Sequence, residues 1–273
     1  MRRTALAALM LATVSSACGA PAAEAPPLPR HLDYADQAIM VYAGTGGWRH
    51  EDGIAGGNVA LGALAREAGL GIFTTEDAGH FTPEALSRFE VVVMNNATGV
   101  TLDEAQQATL ADWVAGGGRL LALHGSGDAS HEDWTWYQDT VVGPLFIGHP
   151  MDPQFQTATV VPLVADHPVM SGLSGGFEHF EEWYSFDGLP GDGFLPVAGV
   201  TETEFAPVLR EGASASDDPA DHPVVWVGCP GAGRTVYSAL GHSAEAFEAE
   251  AHRRLLRNAI AWLRAQDDSG CPA

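Results

Sequence analysis

Lysine is absent from this chain: all 13 basic residues are arginine, against 35 Asp+Glu, for a formal net charge of −22 at pH 7. Without a lysine amine there is no Schiff-base chemistry, and without its ammonium there is no P-loop phosphate site. So acidic a surface repels nucleic acid and anionic lipid head groups, which removes both as partners. The one apolar run near the start, residues 5–12, is too short to span a bilayer as a mature helix. No Gly-x-Ser-x-Gly turn occurs at the strand end near His124, where Ser126 comes two positions late and no cysteine is close, so an acyl-enzyme route is disfavoured. Cysteine is scarce, with only Cys18, Cys229 and Cys271.

What is present begins with an export leader. Residues 1–17 have the form of a signal peptide, with Arg2 and Arg3 ahead of the apolar run of residues 5–12, and Ser16-Ala17-Cys18-Gly19 stands at its end in the manner of a lipoprotein cleavage site. Two readings stand: a cell-envelope lipoprotein anchored through Cys18, its membrane contact being that lipid alone, or a secreted or periplasmic protein cleaved near Ala22. Residues 18–36 form the tether, 37–265 a single α/β domain and 266–273 a C-terminal tail. In an oxidising compartment Cys229 and Cys271 are an even pair, either bridged, which pins the tail, or two free thiols. With 46% hydrophobic residues the domain has enough apolar surface for a full core.

Apolar runs at 38–43, 71–74, 91–95 and 119–124 read as buried strands. Between them lie helical stretches: 59–68, closed by Gly69; a short helix to Arg88 opened by Thr82-Pro83; and 101–115, opened by the capping-box form at Thr101–Glu104 and stopped by three glycines. This alternation predicts a doubly wound, mostly parallel sheet of flavodoxin-like type, with ligands at the carboxyl ends of the strands. After His124 the pattern loosens into loops, with strands expected at 157–164, 179–184, 195–199, 224–228 and 235–239 and a closing helix at 246–263. Strand order is not readable.

Several ionisable groups follow apolar strands or sit in glycine turns: His50, His124, His149 and His242. Each alone is as often a structural hydrogen bonder as a catalyst, and weight comes from several converging. In Phe180-Glu181-Glu182-Trp183-Tyr184, alternation points the two acids to opposite faces, so only one faces the cleft, and Glu181 is the expected one. Trp134, Trp136 and Tyr137 suit either core packing or stacking on a sugar ring.

The same segments resemble the ThuA-like, trehalose-utilisation family from about Ala38 to Arg264. The marks are Trp48-Arg49-His50, Leu123-His124-Gly125, Pro144–Pro150, Asp166-His167-Pro168-Val169, Glu181–Tyr184, His222–Trp226, Gly231–Tyr237 and Leu240-Gly241-His242. The resemblance implies a class I glutamine amidotransferase-like fold. It does not imply glutaminase activity, because His124 stands where those enzymes carry cysteine. It further implies a small-molecule carbohydrate substrate, through sugars already oxidised to a 3-keto form. The chain departs from the family at Ala232, where the glycine turn often holds lysine.

On this reading the chain is a sugar-processing lyase, hydrolase or isomerase. His124 or Glu181 is the base, His242 or His149 polarises the carbonyl or protonates the leaving oxygen, and Arg49, His50, Trp134 and Tyr184 bind substrate. No cofactor is fixed by a tight ligand spacing, yet His124, His149 and His242 are of the type that hold a divalent metal. The alternatives are a surface sugar-binding lipoprotein without turnover and a purely structural domain. The oligomeric state is not legible.

Overall fold

The computed structural model describes residues 38–272. The leader and Cys18 expectations, and the whole of the tether, therefore lie outside the described residues. Two sets of strands build one nine-stranded sheet. The first comprises β1 (Ala38–Tyr42), β2 (Gly71–Thr75), β3 (Val91–Asn95), β4 (Arg119–Leu123) and β11 (Arg234–Ser238), all parallel in the order β2-β1-β3-β4-β11. All of β1, β3 and β11 is buried, and all of β4 beyond Arg119, as expected of strands covered on both faces.

The second set corrects the mostly parallel expectation. β10 (Pro223–Gly228), β9 (Phe194–Val200), β6 (Gln156–Pro162) and β7 (Phe177–Glu181) continue the sheet from β11, every pairing antiparallel. The reason is connection length: β10 joins β11 through residues 229–233, and a parallel neighbour needs a crossover of about a dozen residues or more. No helix of useful length separates β6, β7 and β9 either. A small separate ribbon pairs β5 (Phe146–Gly148) with β8 (Ser185–Phe186).

Helix boundaries also differ from the sequence reading. α1 runs Glu51–Glu67, starting well before residue 59, because Gly53, Gly56 and Gly57 hid its first turns. After α2 (Pro83–Leu86), capped by Thr82, α3 (Glu104–Ala115) takes Asp103 and Gln106 as its capping box; Thr101 instead accepts a hydrogen bond from the Tyr42 hydroxyl. A single turn, α4 (Thr135–Tyr137), follows. The closing helix is two, α5 (Ala244–Glu248) and α6 (Glu250–Arg264), broken at the extended Ala249. α6 buries Leu255, Leu256, Ala259, Ile260 and Leu263, an i, i+3/i+4 stripe facing the sheet. No helix among the described residues is long and apolar enough to cross a membrane.

Cys229 and Cys271 are disulfide-bonded, closing a span of 42 residues. The tail is further held by the Trp262 indole donating to Ser269 O (2.8 Å) and by the contact of His167 Nε2 with Gly270 O (2.9 Å).

The sheet must curl. Four strand spacings of about 4.8 Å separate β11 from β7, so a flat sheet would hold them roughly 19 Å apart. Yet the Glu181 carboxylate, at the end of β7, accepts the Gly241 N–H just beyond β11 at 2.7 Å. That curl carries the end of β7 back over the carboxyl ends of β4 and β11.

Candidate active cleft

The site forms where the chain leaves four strands. Beyond β4, His124 adopts a left-handed backbone (φ 42°), uncommon for a residue with a side chain and costing on the order of 1–3 kcal/mol. Its surroundings hold it there. The Tyr237 hydroxyl donates to His124 O (3.0 Å), Gly125 N donates to Asn96 Oδ1 (3.1 Å), and the ring Nδ1–H donates to Ala239 O (2.8 Å). The last bond fixes the tautomer, so neutral His124 presents Nε2 as a lone pair.

That nitrogen lies 3.3 Å from Glu182 Oε2 and 3.0 Å from His242 Nδ1, while His242 Nδ1 lies 2.8 Å from the same carboxylate oxygen. Glu182 Oε1 receives Gln154 Nε2 and lies 3.1 Å from His149 Nδ1. His50, between β1 and α1, packs its ring 5.1 Å from His124 and 4.8 Å from His242, with Tyr184 Oη 3.3 Å from its Nε2.

Electrostatics follow from burial and proximity. Burial would raise the Glu182 pKa, but its bonds to His124, His242 and Gln154 outweigh this and hold it well below the ordinary carboxylate range. Burial would depress His124, but the two glutamates and the Ala239 carbonyl raise it instead. At His50 the pull of Glu182 and Asp128 is too weak to compensate: burial first, then the charges of His124 and His242, push it down to about 3, so it is neutral. Burial keeps the Tyr184 phenol protonated.

Glu181, expected as the cleft acid, is elsewhere. Strand β7 ends at Glu181, which turns inward, and Glu182, one residue beyond the strand, faces the cleft. The Glu181 carboxylate instead accepts three backbone N–H groups, those of Gly241 (2.7 Å), Glu182 (2.9 Å) and His242 (3.2 Å). Burial opposes its ionisation, yet His179, His124 and Gly241 hold its pKa down to about 2. It thus ties the backbones of two cleft residues together. Glu181→Gln puts an amide N–H₂ against at least one of these donors, and should cost about 2–4 kcal/mol in chemical denaturation. The same stability as wild type would mean that the anchor is dispensable.

Two further expectations are corrected. Arg49 points away from the cleft, its guanidinium pairing with Glu76 (2.7 Å) and Glu51 (2.8 Å) because those acids lie on its own side of the loop. Trp134 is core, 3% exposed and stacked on Tyr137 at 4.7 Å. The structure does gather His50, His124, His149, Tyr184 and His242; it puts Glu182 in the place expected for Glu181 and adds Gln154, Asp128, Trp48 and Met151, which the sequence reading did not assign to the site. The cleft has a volume of about 480 Å³, within the roughly 300–1,000 Å³ common for small-molecule sites. A second cavity beside Glu202 and His222 offers less chemistry, since both His222 nitrogens are bonded, to Glu202 and to Tyr184 O at 2.9 Å each.

One donor atom each from His50, His124, Glu182 and His242 lie within 4.8 Å of one another. Metal bonds of about 2.0–2.2 Å place neighbouring ligands roughly 3.0–3.5 Å apart, which the two contacts of His124 match at 3.3 and 3.0 Å, while His242 and Glu182 stand closer at 2.8 Å. The donor set differs from the expected one: His50 and Glu182 join it, and His149 stands beside it. Three imidazoles and one carboxylate, with His124 braced on a backbone carbonyl, suit a borderline divalent ion such as zinc better than the oxygen-favouring manganese.

A parallel core in the order β2-β1-β3-β4-β11, carrying a histidine–carboxylate cluster at its strand ends, defines a flavodoxin-like α/β protein with a ligand cleft at the expected edge. The family model described as ThuA, trehalose utilisation, matches residues 38–263, and the chain belongs to that family. Solved structures share the fold. A ThuA-like protein from Bacteroides uniformis is 22% identical, with TM-score 0.70 over 93% of this chain and 99% of its own. One from Parabacteroides merdae is 15% identical, with TM-score 0.64 over 87% and 94%. No curated protein matches the sequence.

Proposed function

We propose that the cleft carries out acid–base processing of a carbohydrate already oxidised at C3: elimination, hydrolysis or isomerisation of a 3-keto-disaccharide or glycoside. The observation that carries this reading is the His124–Glu182–His242 cluster with His50 and His149 around one cavity of substrate size. A ketone at C3 makes the neighbouring C–H acidic, so a modest base suffices.

His149 fits that base. Its Nδ1 lies 3.0 Å from Pro150 O and 3.1 Å from Glu182 Oε1; an N–H there donates to either, leaving Nε2 as the proton acceptor. The abstracted proton, carried on His149 Nε2, is returned from the same ring to the leaving oxygen. A divalent ion bound by His50, His124, Glu182 and His242 would supply Lewis acidity at the ketone oxygen. Tyr184, protonated and braced against His50, adds no charge of its own to the cleft lining. The Cys229–Cys271 disulfide supports work outside the cytoplasm, in line with an exported or lipid-anchored protein, because such bonds persist in oxidising compartments.

The test is metal analysis of the purified protein, coupled to turnover of 3-keto-trehalose with and without chelator. Stoichiometric metal, loss of turnover on chelation and recovery with zinc are expected. Sugar binding with no turnover in any metal state would instead make the protein a surface sugar-binding module.

A further inference from the structure

We propose that Trp48 forms the platform of a second subsite, which binds the non-reacting ring of a two-ring glycoside. The inference rests on the carbohydrate reading above and extends it from the reacting ring to its neighbour.

Of the seven tryptophans, Trp48 alone is exposed, at 74%, whereas Trp134, Trp183, Trp226 and Trp262 are buried and Trp113 and Trp136 half-buried. It lines the same cleft as the histidine–carboxylate cluster, and so does Met151, 72% exposed. Two large apolar side chains left in water on the lining of one cleft, Trp48 and Met151, make a contact surface where a single exposed indole would not. An indole face also matches the C–H face of a sugar ring or the face of an aromatic aglycone.

The loop that carries the platform is held through its backbone. Thr98 Oγ1 donates to Trp48 O (2.9 Å), Gly46 N donates to Thr98 O (2.6 Å), and the next residue, Arg49, is clamped by Glu76 and Glu51. The loop backbone is thus fixed before ligand arrives, which reduces the ordering entropy lost on binding. Asp128 and Gln154 line the same cleft and can bond ring hydroxyls.

The test is calorimetric titration of the full chain, wild type, Trp48→Ala and Trp48→Phe, with three unreactive probes: methyl glucoside, trehalose and phenyl glucoside. Wild type should bind the two-ring probes about tenfold more tightly than methyl glucoside. Trp48→Ala should abolish that preference while leaving methyl glucoside within about twofold, and Trp48→Phe should keep part of it. Trehalose favoured over phenyl glucoside identifies a sugar ring as the natural occupant; the reverse identifies an aromatic aglycone. No two-ring preference in wild type, including no binding of either two-ring probe, overturns the subsite, as does a preference that survives in Trp48→Ala. Binding is read without turnover, so the two ideas fail separately: a Trp48-dependent preference in a protein inert on 3-keto sugars keeps the subsite and removes the chemistry.

Discussion

Glu182→Gln should lower turnover of a 3-keto glycoside by about 10²–10⁴-fold and weaken metal retention, with the fold intact. The substitution is nearly isosteric but removes the one negative charge that faces His124, His149 and His242. Loss of that charge acts three ways. His149 loses the carboxylate that can orient its Nδ1–H. The cluster loses its anionic donor. An amide N–H₂ then faces either the Gln154 amide or the His242 ring. Steady-state kinetics and metal analysis of the same preparation check this. Turnover within tenfold of wild type would place the chemistry outside this cluster. Glu181→Gln is the matched control: the neighbouring acid, equally buried, should reveal itself first in stability, since its oxygens meet backbone amides and none of the cleft rings.

The contrast between these two residues also shows what the sequence could and could not convey. Alternation correctly implies that only one of Glu181 and Glu182 faces the cleft, but which one depends on where β7 stops, and strand ends are set by the tertiary curl that pulls Glu181 onto Gly241. The parallel half of the sheet was legible because β1, β3 and β4 are near-continuous buried apolar runs spaced by helices. The antiparallel half was not, because strands linked without helices leave no periodic signal to fix their direction or order. Histidines at strand ends could be nominated from pattern alone; their convergence on one cavity could not. Trp134 and Trp48 differ only in environment, and residue type carries no information on whether an indole enters the core or the mouth of a cleft. Arg49 was misplaced for the same reason, its acidic partner Glu76 lying far off in sequence.

Gly53→Ala should be the most damaging small substitution in α1, lowering stability by roughly 1–3 kcal/mol and turnover by about a hundredfold. In solvent, alanine in a helix is favoured over glycine by about 1 kcal/mol, so propensity alone predicts the opposite sign. Contact decides: a Cβ at residue 53 would lie 2.5 Å from His242 O, 2.6 Å from Gly241 O and 2.8 Å from Asn96 Nδ2. Two of these are backbone atoms that cannot rotate away, and Asn96 is itself bonded to Gly241 O at 3.0 Å. The helix can accommodate a methyl group only by pushing the 241–242 turn outward, which moves the His242 ring relative to His124 and Glu182. Gly62→Ala in the same helix isolates the effect. There the nearest atom to an added Cβ is the Arg66 guanidinium at 3.6 Å, an ordinary contact, so propensity should prevail and the variant should gain up to about 1 kcal/mol with unchanged turnover. Opposite signs for the two variants in thermal or denaturant unfolding would establish that Gly53 is there for the close approach of the cleft turn, and equal, stabilising effects would remove that account.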